Sequence, residues 1–176
     1  NDPTWLTGGD SGLRFDGTSQ WVSVADLSAP IDVSEFTIAV AYRQRGNAGA
    51  INQLIEHRYA SGGNEWFLET IPTGGQHTIE YAVAYPGARI RTADRYELGS
   101  RHVAVGTYDG ETFELFVDGE LQQQRTYDRP VNMGDLRLGR DFEANIQHLD
   151  GALYEVRLYY HAFDASEVEV LSAAMS

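Results

Sequence analysis

Between two Asp-Gly pairs, Asp109-Gly110 and Asp118-Gly119, the residues from Thr112 to Val117 alternate: Phe113, Leu115 and Val117 face one way on an extended strand, Glu114 and Phe116 the other. A period of two closed at both ends by Asp-Gly leaves few options. Asp and Gly tolerate the positive φ of tight hairpins, so this stretch is expected to be the middle of a β-meander. The signature recurs along the chain as short alternating runs bounded by Gly, Asp, Asn and Pro, while helical periodicity is nearly absent. Strands are expected at 13–15, 21–24, 36–43, 51–57, 65–71, 78–84, 90–92, 102–108, 112–117, 120–127, 136–138 and 152–160. In a chain of 176 residues this pattern implies one all-β domain, a two-sheet antiparallel sandwich. Asp16-Gly17 and Asp150-Gly151 are expected to turn the chain in the same way near its ends. The exception is "FDASEVEVLSAA", where Asp164 can cap a first helical turn and Glu167 can complete a capping box. A short C-terminal helix on the outside of the sandwich follows.

Composition narrows the function. Cysteine is absent, which removes disulfides, thiolate metal sites and cysteine nucleophiles. Apolar runs are only a few residues long, so no segment reads as a membrane span, and no basic stretch followed by an apolar one opens the chain; it reads as a soluble, processed chain. Asp and Glu number 26 against 13 basic residues, all of them Arg, for a net charge of -13. Missing Lys and excess carboxylate admit two readings. One is codon bias. The other is adaptation to concentrated salt, where a Debye length of about 3 Å lets dense surface carboxylates coexist and keep the protein hydrated. Either way the surface is a poor partner for nucleic acid or an anionic membrane.

Five segments in order, "LRFDGTSQWVSV", "FTIAVAYR", "RHVAVGTYDGETFELFVDGE", "LRLGRD" and "LDGALYEVRLYYHAFDASEV", resemble the LamG-like jellyroll domains of the concanavalin A-like lectin/glucanase superfamily. The resemblance covers nearly the whole chain, residues 1–176 as a single domain. It implies a jellyroll sandwich and leaves function open, since the fold serves lectins, glycosidases, adhesion modules and spacers alike. With the composition it suggests a domain of a larger surface protein, from a halophilic archaeon.

For catalysis, the superfamily's β-glucanases resemble one another in a Glu-x-Asp-x-Glu strand motif. The nearest stretch here is "EWFLE", with Glu65 and Glu69 on one face and Phe67 where the middle Asp would stand. Four positions along a strand span roughly 13 Å, against the about 5–5.5 Å of a retaining carboxylate pair. The segment therefore reads as two exposed carboxylates flanking a packed Phe. The five His are scattered, and no nucleophile elbow, zinc pair or phosphate-binding Gly loop is present. No catalytic residue is assigned.

For binding, the resemblance implies a structural Ca²⁺ near the joined chain ends, ligated by the Asp of a "G-x-I-D-E-V" motif. In the matching segment, Gly151 to Val156, Tyr154 replaces that Asp. Asp10, Asp16 and Asp150 remain candidate oxygen ligands, with turn residue or solvated surface as the alternative for each; no cofactor is required. Glycan recognition combines aromatics, which cover the apolar faces of a sugar, with Asn, Asp or Arg for its hydroxyls. Arg58, Tyr59, Asn64 and Trp66 in "HRYASGGNEW" carry that mixture, as do Tyr81, Tyr85, Arg89 and Arg91 in "YAVAYPGARIR". If the two strands between these loops form a hairpin, the loops share one end. Trp66 and Tyr81 read as core, leaving Arg58, Tyr59, Asn64, Tyr85, Arg89 and Arg91 as candidate glycan ligands. The expectation is a non-catalytic extracellular or cell-surface module that binds a glycan or, as the alternative, contacts a cell-surface protein or acts as a spacer.

Overall fold

The computed structural model describes residues 2–8, 11–24, 31–46, 51–57, 65–85, 87–129, 131–142 and 147–176. At 31, 32, 65, 84, 85, 132 and 133 it describes the backbone alone. Two antiparallel sheets pack face to face. The first runs, in spatial order, β1 (Thr4–Leu6), β2 (Gly12–Asp16), β16 (Asp150–Tyr159), β5 (Phe36–Gln44), β11 (Arg101–Tyr108), β12 (Thr112–Val117) and β13 (Glu120–Thr126). The second runs β10 (Tyr96–Glu97), β8 (Gln76–Tyr85), β7 (Glu65–Thr73), β6 (Asn52–His57), β15 (Leu136–Leu138) and β3 (Val22–Val24), with β9 (Ala88–Arg91) sharing the free edge of β8 with β10. A separate two-stranded ribbon joins β4 (Ile31–Val33) to β14 (Val131–Met133).

All twelve expected strands are present, most lengthened or trimmed at their ends. The sequence reading misses β1, β4, β10 and β14, which are two or three residues long. Runs so short carry no periodicity; pairing partners alone define them. A further correction concerns Asp150-Gly151. It is no turn but the start of β16, where a Cβ on Gly151 would lie 2.3 Å from the Arg43 carbonyl oxygen. Glycine serves close strand approach there. Asp118-Gly119 does turn the chain, with φ of 53° and 89°, both in the left-handed region a tight hairpin needs.

The alternation of the meander sets the layers. Phe113, Leu115 and Val117 point into the core between the sheets, while Phe116 points out of the first sheet. Tyr81 crosses from the second sheet to Gly106, where an added Cβ would sit 2.8 Å from its ring. A side chain at 106 would fill the space that the ring occupies. On the outer face of the first sheet, Ala39, Ala41, Val103, Val105 and Phe116 receive Val168, Leu171 and Met175 of α1 (Ala165–Met175). The helix lies over β11 and β13, and the two alanines of β5 complete the apolar cluster beside it. Asp164 accepts the N–H of Ser166 and Glu167, and the Glu167 carboxylate accepts the N–H of Asp164, completing the expected capping box.

Candidate functional site

The second sheet also has an outer face, and among the described residues no helix covers it. Strand alternation sends Ile79, Tyr81, Val83, Trp66, Leu68, Ala88 and Ile90 into the core, so their neighbours in sequence face outward. Register arranges those neighbours in rows across the strands. One row runs Arg91, Glu80, Glu69 and Gln53; the next runs Arg89, Ala82, Phe67, Glu56, Arg137 and Ser23. Five strand spacings separate Arg89 from Ser23, or roughly 24 Å.

At the β9 end, Glu80 is 4% exposed and held by two arginines. Arg91 donates to its Oε2 from Nε at 2.9 Å and from Nη2 at 2.6 Å, and Arg89 Nη1 lies 3.5 Å from Oε1. Both guanidinium groups stay about half exposed, at 52% and 46%. A buried carboxylate thus orients two cations whose outer edges remain free to meet solvent or ligand. Glu69 stands directly opposite Glu80. It is buried, not exposed as the sequence suggests. Burial first, and then the Glu80 charge, push its carboxyl up to about 8, with Arg91 opposing. The proton on Glu69 is thus held further toward neutral pH than on an ordinary carboxyl.

At the β3 end the face turns aromatic. The Arg137 guanidinium carbon lies 4.5 Å from the Trp21 ring centroid and 4.0 Å from that of Phe142, and its Nη1 donates to the Asp141 carbonyl at 3.0 Å. Glu56 accepts the Phe142 N–H at 2.8 Å. Phe67, 6% exposed, forms the floor between the two ends.

Of the residues expected to bind glycan, the structure brings Arg89 and Arg91 together on Glu80. Arg58, Tyr59 and Asn64 lie outside the described residues. Tyr85 ends β8 opposite Glu65, the first residue of β7, so the expected hairpin forms. Trp66 and Tyr81 are fully buried core residues. Glu80, Glu56, Arg137, Phe142 and Trp21 escape the sequence reading. For Glu80 the signal was present, since the alternation that puts Tyr81 inside puts its neighbour outside. The others needed the pairing of β6 with β15, which joins segments about eighty residues apart in sequence.

Two of the three candidate metal ligands have other partners. Asp16 and Asp150 are partners across β2 and β16. Yet Asp16 accepts the backbone N–H of Thr18, Ser19 and Gln20. Although desolvation alone would raise its pKa, these bonds hold the carboxyl well below the usual range. Asp150 pairs with Arg45 at 2.8 Å. Asp10 lies outside the described residues. Among the described residues no group of three or more His, Asp or Glu is placed to hold a metal ion. A Ca²⁺ taking Asp16 and Asp150 would compete with these backbone amides and with Arg45, so the described residues by themselves do not fit it. Tyr154, where the ligating Asp was sought, instead stacks with Arg101 at 4.4 Å and Arg43 at 5.5 Å.

A laminin G family model, described as the concanavalin A-like lectin/glucanases superfamily, matches residues 16–169. The chain belongs to that superfamily. No curated protein matches it by sequence. Solved structures with the same fold include a native heptameric SAP-like pentraxin from Limulus polyphemus, with TM-score 0.74 and 11% identity over 90% of this chain and 80% of that one. Domain 4 of AbnA, a GH43 extracellular arabinanase from Geobacillus stearothermophilus, solved with arabinotriose, gives 0.70 and 14% over 97% and 81%. The CBM40 of a Ruminococcus gnavus IT-sialidase, bound to α2,3 sialyllactose, gives 0.62 and 12% over 88% and 97%. At such identities the likeness is one of fold.

Proposed function

We propose that the chain is a non-catalytic recognition or adhesion module, displayed at the cell surface or outside it as part of a larger protein, and that it binds glycans on the outer face of the second sheet. The observation that carries this reading is the pair Arg89 and Arg91, half exposed and oriented by buried Glu80, at the head of a track of aromatic and polar groups. Guanidinium edges suit the carboxylates and hydroxyls of a saccharide. The carbohydrate-bound relatives of this fold lend the reading support.

Catalysis fits the same residues poorly. Glu69 and Glu80 are close enough across strands to act as a pair. However, two arginines hold the oxygens that Glu80 would need as nucleophile or base, and Glu69 is 5% exposed. A second reading, a protein-contact domain, draws on β13, the last strand of its sheet, which is exposed at every residue but one and carries Leu121 at 48%.

An open, shallow face of this kind binds weakly, at roughly millimolar to micromolar Kd, about −4 to −8 kcal/mol, and useful adhesion then comes from many displayed copies. A multimerised domain on a glycan array in high salt is expected to retain polysaccharides, acidic ones through the arginines. Arg89→Ala and Tyr85→Ala should cut that retention at unchanged Tm. A blank array would replace this reading with the protein-contact one.

A further inference from the structure

Trp5 is 73% exposed, the largest exposed apolar side chain among the described residues, and strand register explains why. Trp5 pairs with Leu13, Leu13 with Leu153, and Leu153 with Tyr42, so the four share one row of the first sheet on its core-facing side. Tyr42 and Leu153 are buried, and Leu13 is partly so. The second sheet ends at β3, and nothing described continues it opposite Trp5. The indole therefore forms a shelf beyond the edge of the sandwich. Between this shelf and β3 lies a cleft of about 530 Å³, lined chiefly by Asp2, Trp5, Leu13, Trp21, Val22 and Ser23. Gln20 Nε2 donates to the Asp2 carbonyl at 2.9 Å and ties the two walls together.

We propose that this cleft is a second carbohydrate site, selective for an acidic sugar such as a hexuronate unit. It rests on the glycan reading above; it shares Trp21 and Ser23 with the β3 end of that face but is centred on Trp5, on the first sheet. Two indoles offer apolar faces to a pyranose ring, and Asp2 and Ser23 can bond its hydroxyls. The charge preference comes from behind Trp21. Besides Arg137, whose guanidinium is engaged with Asp141 and Phe142, Arg140 brings its guanidinium carbon to 5.7 Å from the Trp21 ring. Arg140 stands behind the Trp21 wall and does not itself line the cleft; the residue is half-buried with its Nε inside, and among the described residues no carboxylate pairs with it, so its terminal nitrogens are the part an anion at the rim can reach. In a chain of net charge -13, a cation left so beside an aromatic cleft suits an incoming anion. Asp2 on the opposite wall repels a carboxylate, so the sugar is oriented with its acid group toward Arg140 and its hydroxyls toward Asp2.

The test is a titration of the ¹⁵N-labelled chain with short oligogalacturonate, and in parallel with a neutral cello-oligosaccharide, read at the indole N–H resonances. Oligogalacturonate is expected to shift the Trp5 and Trp21 signals and spare that of buried Trp66. Trp5→Ala should weaken binding at least tenfold, and Arg140→Gln should erase the preference for the acidic oligomer. Arg89→Ala should leave these indole shifts unchanged while lowering retention on the array, which separates failure of one site from failure of the other. Absence of Trp5 and Trp21 shifts in the parent protein, wild-type affinity in Trp5→Ala, or equal binding of the neutral oligomer would overturn the proposal. The parent titration decides the matter even if Trp5→Ala should fold poorly.

Discussion

The two outer faces of the sandwich follow opposite rules. Outside the first sheet the residues are small or apolar, Ala39, Ala41, Val103, Val105 and Phe116, and a capped helix lies on them. Outside the second sheet the corresponding positions hold Glu69, Glu80, Glu56, Arg89, Arg91 and Arg137. The strands are alike and the alternation is alike; what differs is whether the outward residues can bury one another. Apolar side chains gain by covering, so the first face is used for stability. Charged groups lose by it unless paired, so on the second face Glu80 is buried against two arginines while Arg89 and Arg91 themselves stay half exposed, where a ligand can reach them.

The largest effect should come from breaking the covered face. Phe116→Ala removes an aromatic that is 1% exposed beneath the helix and should cost about 3–5 kcal/mol in denaturant unfolding. Arg89→Ala, on the open face, should change stability by no more than about 0.5 kcal/mol while weakening glycan retention. Equal destabilisation by the two would erase the distinction between the faces.

The next largest effect concerns Glu69. Its folded pKa, about 8, stands above the unfolded value. Between about pH 4.5 and 8 the folded state therefore holds a proton that the unfolded state has released, and the contribution of Glu69 to stability falls as pH rises through that window. Glu69→Gln should flatten this decline and stabilise the protein by a few kcal/mol at pH 9, with little effect at pH 4.5. His57 and His77 act from the other side. Burial lowers both to about 4, helped at His77 by His102 and opposed at His57 by Asp135. The unfolded chain then takes up protons that the fold refuses, so stability is lost as pH falls from about 6.5 toward 4. A pH series of melts on the parent and Glu69→Gln checks both slopes.

A smaller effect is expected from salt. If the carboxylate excess is a salt adaptation, Tm should climb from dilute buffer to multimolar NaCl as self-repulsion is screened. A flat profile would favour codon bias. The smallest concerns Ca²⁺. With Asp16 turned to its own backbone and Asp150 to Arg45, millimolar Ca²⁺ against chelator at constant ionic strength should leave Tm unchanged. A rise abolished by Asp150→Ala would reinstate the site.

What could be read from the sequence divides along the same line as the two faces. Alternation located the strands and the burial of Tyr81, the Asp-Gly pair located the turn at Asp118-Gly119, and the "DASE" segment marked the helix start, because each depends on neighbours in sequence. The candidate site depends on register between distant strands. "ARIR" shows two outward arginines, but nothing within it shows that they close on Glu80. Nor does "EWFLE" reveal that Glu69 is buried, because the carboxylate opposite it comes from the partner strand β8. Trp5 sits on a strand too short to carry a pattern, and its exposure follows from where the other sheet ends.

The most direct test of the central claim, that the open face of the second sheet is the binding surface, is to map backbone amide shifts while titrating the glycan that the array retains most strongly. Perturbations centred on Glu69, Glu80, Arg89 and Arg91 are expected, with little change at Val103, Val105 or along α1. Shifts confined to β13 or to the helix-covered sheet would contradict the account.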